Sequence, residues 1–355
     1  MGSAVDVFVA MSGGVDSSVA AARLIEQGYR CAGVFMVTHD GGLAAVDEVR
    51  AVAERLGIGL HVLDLRDVFE QEVAAYFCGE YAAGRTPNPC VWCNRHIKFG
   101  RLWDYAREHG ARYLATGHYA RIEHDTFGPG LYAAEAPAKD QSYVLAMIPR
   151  ERLANILLPL GGQGKADTRT EAARRGLPVH QKPDSQEICF IPDQDYVGYL
   201  ARHGVAVSRP GPVVDVSGQV LGHHEGICRY TIGQRRGLGI ALGRPAYVVA
   251  VDTQANQVVL GDREDLLAAG LEADHANWLI DPPSGWLEGW IRIRYNHPGV
   301  AGRVRPDRDD PTRLTVRFDE PVAAVTPGQA AVLYVSEPAG WRVACGAWIR
   351  RSVKP

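Results

Sequence analysis

Two parts of the chain carry residues whose types and spacing could do chemistry. Val7 to Ser18 reads Val-Phe-Val-Ala-Met-Ser-Gly-Gly-Val-Asp-Ser-Ser, an apolar run that breaks into two glycines and a polar cluster just before a helical pattern. Gly13 and Gly14 can take backbone angles closed to other residues, and Asp16, Ser17 and Ser18 sit where a helix N-terminus has unpaired N–H donors. A phosphate or pyrophosphate fits there; the plainer reading is a glycine turn with Asp16 or Ser17 as a helix cap. The second part is a set of thiols: Cys90 and Cys93 in Gly-Arg-Thr-Pro-Asn-Pro-Cys-Val-Trp-Cys, and Cys189 in Lys-Pro-Asp-Ser-Gln-Glu-Ile-Cys-Phe. All three lie in polar, loop-like contexts, where a thiol that ionises near neutral pH can act as nucleophile or ligand. Cys31, Cys228 and Cys345 lie in apolar strand patterns and Cys78 at a helix end, so these four read as buried packing residues. A single Cys-x-x-Cys without a second pair cannot make a closed zinc site of four cysteines.

The glycine loop needs a strand before it and a helix after it, and the order of the chain predicts both. Ser18 to Gln27 has helical apolar spacing and stops at Gly28, Cys31 to Thr38 is a second apolar run, Ala44 to Leu56 a second helix ending at Gly57, and Leu60 to Asp64 a third strand. This alternation predicts a doubly wound α/β domain, a parallel sheet with helices on both faces. Ligands of such sheets bind outside the carboxyl ends of the strands, where Ser12 to Ser17 and Met36 to Thr38 would meet. Pro87 and Pro89 argue against regular structure from Gly84 to Cys93, leaving a stiff loop that delivers two cysteines to a helix over Asn94 to Glu108. That helix carries Arg95, His96, Lys98, Arg101 and Arg107, either a solvated face or a phosphate-contacting one. Tyr113 to Thr116 is a fourth strand, and Gly117-His118 follows at its ligand-side end. His118 reads equally as a buried structural imidazole or a functional one. Lys139-Asp140-Gln141 leads into a short helix through Met147, Pro159 to Lys165 is a Gly-rich link, and Thr170 to Arg175 is a short helix ended by Gly176. Cys189 is expected on a mobile loop.

Beyond Gly204 the pattern changes to short alternating runs. Val213 to Asp215 and Gln219 to Leu221 flank a Ser217-Gly218 turn, and Ala246 to Asp252 pairs plausibly with Gln257 to Leu260. Between them Arg229, Arg235, Arg236 and Arg244 form a basic, Gly-rich segment suited to phosphates. From Trp290 to Arg351 sharper alternation (Ile291 to Tyr295, Leu314 to Phe318, Ala331 to Val335) predicts a small antiparallel barrel. The expected domains are 1–203, a nucleotide-binding catalytic domain, 204–268, a β-rich linker domain, and 269–355, a β-barrel. With 355 residues, a net charge of −3 and seven scattered cysteines, the chain is neither wholly basic nor a secreted disulfide framework. The first strand carries Asp6 and no basic flank, so neither a signal peptide nor a membrane span is expected, and the location expected is cytoplasmic with reduced thiols.

The loop lacks the Lys of a Walker sequence and the Gly-x-Gly-x-x-Gly spacing of dinucleotide folds. Ser12 to Ser17 resembles instead the pyrophosphate (PP) loop of enzymes that cleave ATP between its α and β phosphates and attach AMP to a substrate oxygen. Nearly end to end, the chain resembles the tRNA-specific 2-thiouridylases. The similarity rests on Ala10 to Ser17, Thr86 to Phe99, Ala115 to Tyr119, Lys139 to Tyr143, Asp184 to Phe190 and Tyr230 to Ile240.

The resemblance implies ATP-dependent sulfur transfer to carbon 2 of the wobble uridine of tRNA, with the barrel as a tRNA-binding domain. It assigns Ala10, Met11, Ser12, Gly13, Gly14, Val15, Asp16, Ser17, Met36 and Gly117 to ATP, with Asp16 helping to position Mg²⁺. It makes Cys189 the carrier of a persulfide and Cys93 the thiol that attacks it, ending in released sulfide or in a Cys93–Cys189 disulfide. Asn88, Pro89 and Cys90 are implied beside the target base, which must leave its stack. His118, Lys139, Asp140, Gln141, Arg294, Tyr295 and Gln329 are the other implied tRNA contacts. The implied partners are tRNAs of the Lys, Glu and Gln acceptors and a persulfide donor protein. One departure stands out: many members have Asp where this chain has Cys90. Three thiolates, Cys90, Cys93 and Cys189, could alternatively hold a 4Fe-4S cluster that carries the sulfide. Other readings are another PP-loop ligase or amidotransferase, an RNA-binding module with a vestigial nucleotide loop, and a 4-thiouridine or 2-thiocytidine enzyme.

Overall fold

The computed structural model describes residues 5–126, 128–182, 188–240 and 243–355. Of the stretches read above, Asp184 to Glu187 ahead of Cys189, and Ala241 and Leu242 in the arginine segment, lie outside the described residues. The chain divides into two compact units, one made of residues up to Val73, Cys90–Phe190 and Ser336–Ala344, the other of Ala74–Pro89, Ile191–Val335 and Cys345–Pro355.

The first unit is built on a parallel sheet. β1 (Val7–Ala10), β2 (Cys31–Val37), β3 (Leu60–Asp64), β4 (Tyr113–Ala115) and β7 (Ile156–Leu157) lie in the order β3-β2-β1-β4-β7. Val7, Phe8 and Val9 are fully buried because β1 is the central strand, covered on both faces, which is why it reads as a continuous apolar run and not an alternating one. Helix α1 (Val15–Glu26) buries Val15, Val19, Ala20 and Leu24 against it. The strand order reverses between β1 and β4, so the crevice expected to take a ligand opens between the loop after β1 and the one after β4. Helix α1 begins three residues before the expected Ser18, which makes Asp16, Ser17 and Ser18 its first turn.

Four local features differ from expectation. Residues Pro89–Cys93 form an α-helix that continues through π-helical turns over Asn94–Arg101 into a last segment, Leu102–Glu108. Pro89 does not prevent this, because at the first helical position its missing N–H and fixed φ cost nothing. The second helix is α-helical only over Val46–Leu56; Asp40–Ala45, with Gly41 and Gly42, is 3-10. An antiparallel hairpin of β5 (Ala120–Asp125) and β6 (Gly128–Ala133) was not foreseen, since Gly-Pro-Gly in β6 reads as a turn. The helix expected at Thr170 starts at Lys165 and runs to Arg174.

Two further β structures have most of their residues in the second unit. β8 (Gly211–Asp215) and β9 (Val220–His224) pair antiparallel, as do β10 (Tyr247–Asp252) and β11 (Gln257–Gly261), matching the two pairings read from the sequence. A parallel β11–β8 ladder joins them into one mixed sheet. β12 (Leu267–Trp278), β13 (Leu287–Arg292), β14 (Val300–Pro306), β15 (Leu314–Ala323), β16 (Ala330–Glu337) and β17 (Gly340–Val353) follow in the order β12-β15-β14-β13-β16-β17, and β12 pairs back onto β17, as at Leu271 with Ser352. This closes an antiparallel barrel, and the same sheet continues from β17 onto β6 and β5. The expected strand Ile291 to Tyr295 ends at Arg292, leaving Arg294 and Tyr295 in the turn that follows.

Candidate active site

The loop after β1 is tied to its own helix. Gly13 takes a φ of +70°, and Gly14 is extended and caps α1. The Ser12 N–H donates to Ser17 Oγ (3.1 Å), and the Ser17 and Ser18 hydroxyls donate to the Gly14 carbonyl (3.2 and 2.8 Å). Gly117, just past β4, comes so close that a Cβ there would lie 2.6 Å from Ser17 N and 2.7 Å from the Asp16 carbonyl carbon. Two lysines not singled out from the sequence flank the loop. Lys165 Nζ lies 2.7 Å from both Asp16 carboxylate oxygens, and Lys182 Nζ donates to the Gly13 carbonyl (3.1 Å) and to Glu48 Oε2 (2.6 Å). The Tyr119 hydroxyl also donates to Asp16 (2.7 Å). A weak signal for both lysines existed: one ends the Gly-rich link, and the other opens the polar segment before Cys189. Register Ala10 with Val34 carries half-buried Met36 of β2 two residues past the end of β1, where it pairs with Leu63 of β3.

Helix residues Cys90 and Cys93 are three apart and so share one face. Between them Trp92 donates its indole N–H to the Glu72 carbonyl (2.8 Å) and stacks on His96. Phe190, next to Cys189, packs edge-on against Phe69 with ring centroids 5.2 Å apart. Phe69 and Glu72 are one helical turn apart, so the segments carrying Cys93 and Cys189 rest on the same stretch of chain. The thiols also act on one another electrostatically: charge on Cys90 raises the Cys189 pKa, and charge on Cys189 and Cys90 raises that of Cys93. Cys90 and Cys189 keep exposed surface while protein crowds their other sides; Cys93 is half-buried.

The expectation of thiols that ionise near neutral pH is corrected here. Burial raises the pKa of all three, Cys93 to about 12, and Lys98, whose positive charge lowers each of them, does not offset the loss of water. Burial and the same Lys98 hold His118 well below the ordinary imidazole value, so it is neutral, with Nδ1 2.7 Å from the Thr116 hydroxyl. Lys98 thus acts on the thiols and on His118, and His118 follows the glycine that touches the nucleotide loop. Replacing Lys98 with Gln is expected to raise all three thiol pKa values, because the thiolates lose a favourable charge. The pH midpoint of iodoacetamide labelling should move upward and labelling at neutral pH slow several-fold; an unmoved midpoint would contradict the role given to Lys98.

Of the implied RNA contacts, Asp140 needs correction. Its carboxylate is buried and accepts from Ala134 N–H (3.1 Å), Ser142 N–H (3.0 Å) and the Ser142 hydroxyl (2.9 Å). It therefore fixes the turn that carries Lys139 and Gln141 and does not present itself to a ligand. Gln141 Oε1 accepts from Tyr119 N–H (2.9 Å). In the second unit Gln329 donates to the Thr86 and Pro87 carbonyls, both at 3.0 Å, and so holds the segment just before Asn88 and Pro89. Arg294 and Tyr295 are exposed in the turn after β13. In the arginine segment Arg235 and Arg236 are exposed, Arg244 pairs with Asp262, and Arg235 and Arg244 line a recess of about 550 Å³.

A doubly wound parallel sheet with Ser-Gly-Gly-Val-Asp-Ser at its switch point defines an enzyme of the HUP class that uses ATP. Residues 5–193 match the family model described as the tRNA methyl transferase HUP domain, 198–262 the tRNA methyl transferase PRC-barrel domain, and 268–349 the aminomethyltransferase beta-barrel domain. Over 351 residues the chain is 48% identical to the tRNA-specific 2-thiouridylase MnmA of Syntrophotalea carbinolica, covering 97% of this chain and 98% of that protein. The proteins of the same name from Geobacter metallireducens (46% over 361 residues, 97% and 96% covered) and Moorella thermoacetica (48% over 341 residues, 92% and 95% covered) are similar to it to the same degree. The chain belongs to the tRNA-specific 2-thiouridylase family, which are ATP-dependent sulfurtransferases. Among the described residues no helix is long and apolar enough to cross a membrane.

A 4Fe-4S cluster needs a convergent set of ligands. Among the described residues no group of three or more His, Cys, Asp or Glu side chains is arranged to hold a metal ion. Cys90, Cys93 and Cys189 as they stand do not fit such a cluster, and no step below runs through one.

Proposed function

We propose that the protein activates carbon 2 of the wobble uridine of tRNA by attaching AMP to its oxygen, then replaces that oxygen with sulfur from a persulfide on Cys189, releasing AMP and pyrophosphate. The C2 carbonyl is a poor electrophile with oxide as its leaving group; adenylation turns the oxygen into departing AMP. In this reading Ala10 to Ser17, Met36 and Gly117 hold ATP, with the pyrophosphate on the glycine loop and Lys165 and Lys182 as counter-charges once released from Asp16 and Glu48. Because Asp16 is engaged by Lys165 and Tyr119, Mg²⁺ would be held first by the phosphates of ATP, and Asp16 could join only by letting Lys165 go.

Cys93 resolves the persulfide chemistry and ends in a disulfide with Cys189, reduced before the next cycle. Asn88 to Cys90, His118, Lys139, Gln141, Arg294 and Tyr295 are the proposed RNA contacts, with Asp140 and Gln329 as positioning residues. Domains 1–203, 204–268 and 269–355 would serve as catalytic, linking and tRNA-binding parts in the cytoplasm. The partners in this reading are tRNAs of the Lys, Glu and Gln acceptors and a protein that donates persulfide sulfur.

The observation that carries the reading is the shared neighbourhood of loop and thiols: Gly117 against the loop, His118 beside it, and Lys98 acting on His118 and on all three sulfurs. The experiment is incubation with ATP, a wobble-uridine tRNA transcript and a persulfide donor, followed by nucleoside mass analysis. Equal amounts of 2-thiouridine and AMP are expected. A methylated nucleoside, 4-thiouridine, or tRNA binding without AMP would overturn it.

A further inference from the structure

Cys90 is the nucleophilic group that the scheme above does not use as a nucleophile. It stands three residues before Cys93 on one helix, hence on the same face, and keeps more exposed surface than Cys93. Cys189 is exposed as well, and its neighbour Phe190 is seated on Phe69, one turn from the Glu72 carbonyl that anchors Trp92 between the two helix thiols. Two thiols thus share one helical face, the segment that carries the third rests on the same stretch of chain, and Cys90 and Cys189 are both accessible; access is a main determinant of the rate of thiol–disulfide exchange.

We propose that Cys90 is a second resolving thiol, able to take the place of Cys93 in freeing the thiolated base from Cys189. The inference rests on the persulfide reading above. In the step concerned, the sulfur attacking the adenylated carbon leaves a C2–S–S–Cys189 link as AMP departs. The Cys90 thiolate attacks Sγ of Cys189, the bond between Sγ and the base sulfur breaks, and that sulfur leaves with the electron pair as 2-thiouridine. A Cys90–Cys189 disulfide forms, and the proton of the Cys90 thiol passes to solvent. The transferred sulfur is reduced by two electrons and the two cysteines are oxidised by two, so the step balances; an external thiol then regenerates the enzyme. Electrostatics agrees with this partnership, since Cys189 feels the charge of Cys90.

The test is a single turnover of full-length enzyme, its Cys189 first loaded with sulfur by an inorganic polysulfide. ATP and tRNA transcript are then added without reductant, and the mixture is alkylated and the disulfides mapped by mass spectrometry. Cys93→Ser is expected to yield a Cys90–Cys189 disulfide and at least about a tenth of the wild-type 2-thiouridine, whereas the Cys90→Ser/Cys93→Ser double variant yields neither. AMP release on adding tRNA shows that each variant is folded. If Cys93→Ser is as inert as the double variant while still forming AMP, or if it makes product with no Cys90–Cys189 link, the inference falls. Cys189→Ser separates the two levels: full thiolation by that variant would sink the persulfide reading itself, while its inactivity leaves that reading standing whatever Cys90 does.

Discussion

Cys189→Ser enzyme is expected to form no measurable 2-thiouridine, a loss of at least about 1,000-fold, while still releasing AMP and pyrophosphate from ATP in the presence of tRNA at close to the wild-type rate. The separation follows from where the two functions reside. The proposed reading gives pyrophosphate handling to the loop after β1, with its internal serine hydrogen bonds, its two flanking lysines and Gly117. It gives sulfur transfer to the turn that carries Cys189 and to the helix that starts at Pro89. Removing one sulfur atom from an exposed side chain takes away the nucleophile and leaves the loop's geometry alone. The check is a pair of assays on the same samples: AMP by chromatography and nucleosides by mass spectrometry. Parallel loss of both would mean that Cys189 supports the nucleotide site and does not carry sulfur.

Gly117→Ala should do the opposite. The added methyl would sit 2.6 Å from the Ser17 nitrogen and 2.7 Å from the Asp16 carbonyl carbon, and both are backbone atoms that cannot swing aside. Either the end of β4 or the first turn of α1 must shift by several tenths of an ångström. Overpacking of this kind costs about 1–3 kcal/mol of stability. Misplacing donors aimed at a reacting phosphate by as little as about 1 Å costs about 100-fold in rate, so adenylation should fall by that order. Thiol reactivity, which depends on Lys98 and on burial, should be nearly unchanged. AMP formation and iodoacetamide labelling measured side by side decide this. Retained adenylation would show that the loop yields where the packing says it is held.

The corrections have two sources, local backbone chemistry and contacts between residues far apart in the chain. Helix Pro89–Cys93 was missed because two prolines in three residues look prohibitive until the first helical position is recognised as the one that tolerates proline. Asp140 looks like an exposed contact beside Lys139, and becomes internal only because Ala134 and Ser142 fold back onto its carboxylate. The thiols look reactive in a polar sequence, yet water is removed from around them by chain that comes from elsewhere. Lys165 and Lys182 carry no motif of their own; the Lys165–Asp16 pair joins residues 149 apart.

By itself the sequence determined the strand, glycine loop and helix at Val7 to Glu26, the parallel α/β alternation, the change to β structure beyond Gly204, the family, and which three of seven cysteines lie in polar segments. These are properties of contiguous residues: backbone freedom at glycine, periodic burial, and motif spacing. Only the tertiary structure decided that Gly117 presses on the loop, that Lys98 acts on the sulfurs and on His118 together, that two lysines guard the nucleotide loop, and that Cys90 shares the face of Cys93. Such facts depend on which atoms are brought within a few ångströms and on how much water they exclude. Chain closure sets both, and neither leaves a mark in the local order of residues.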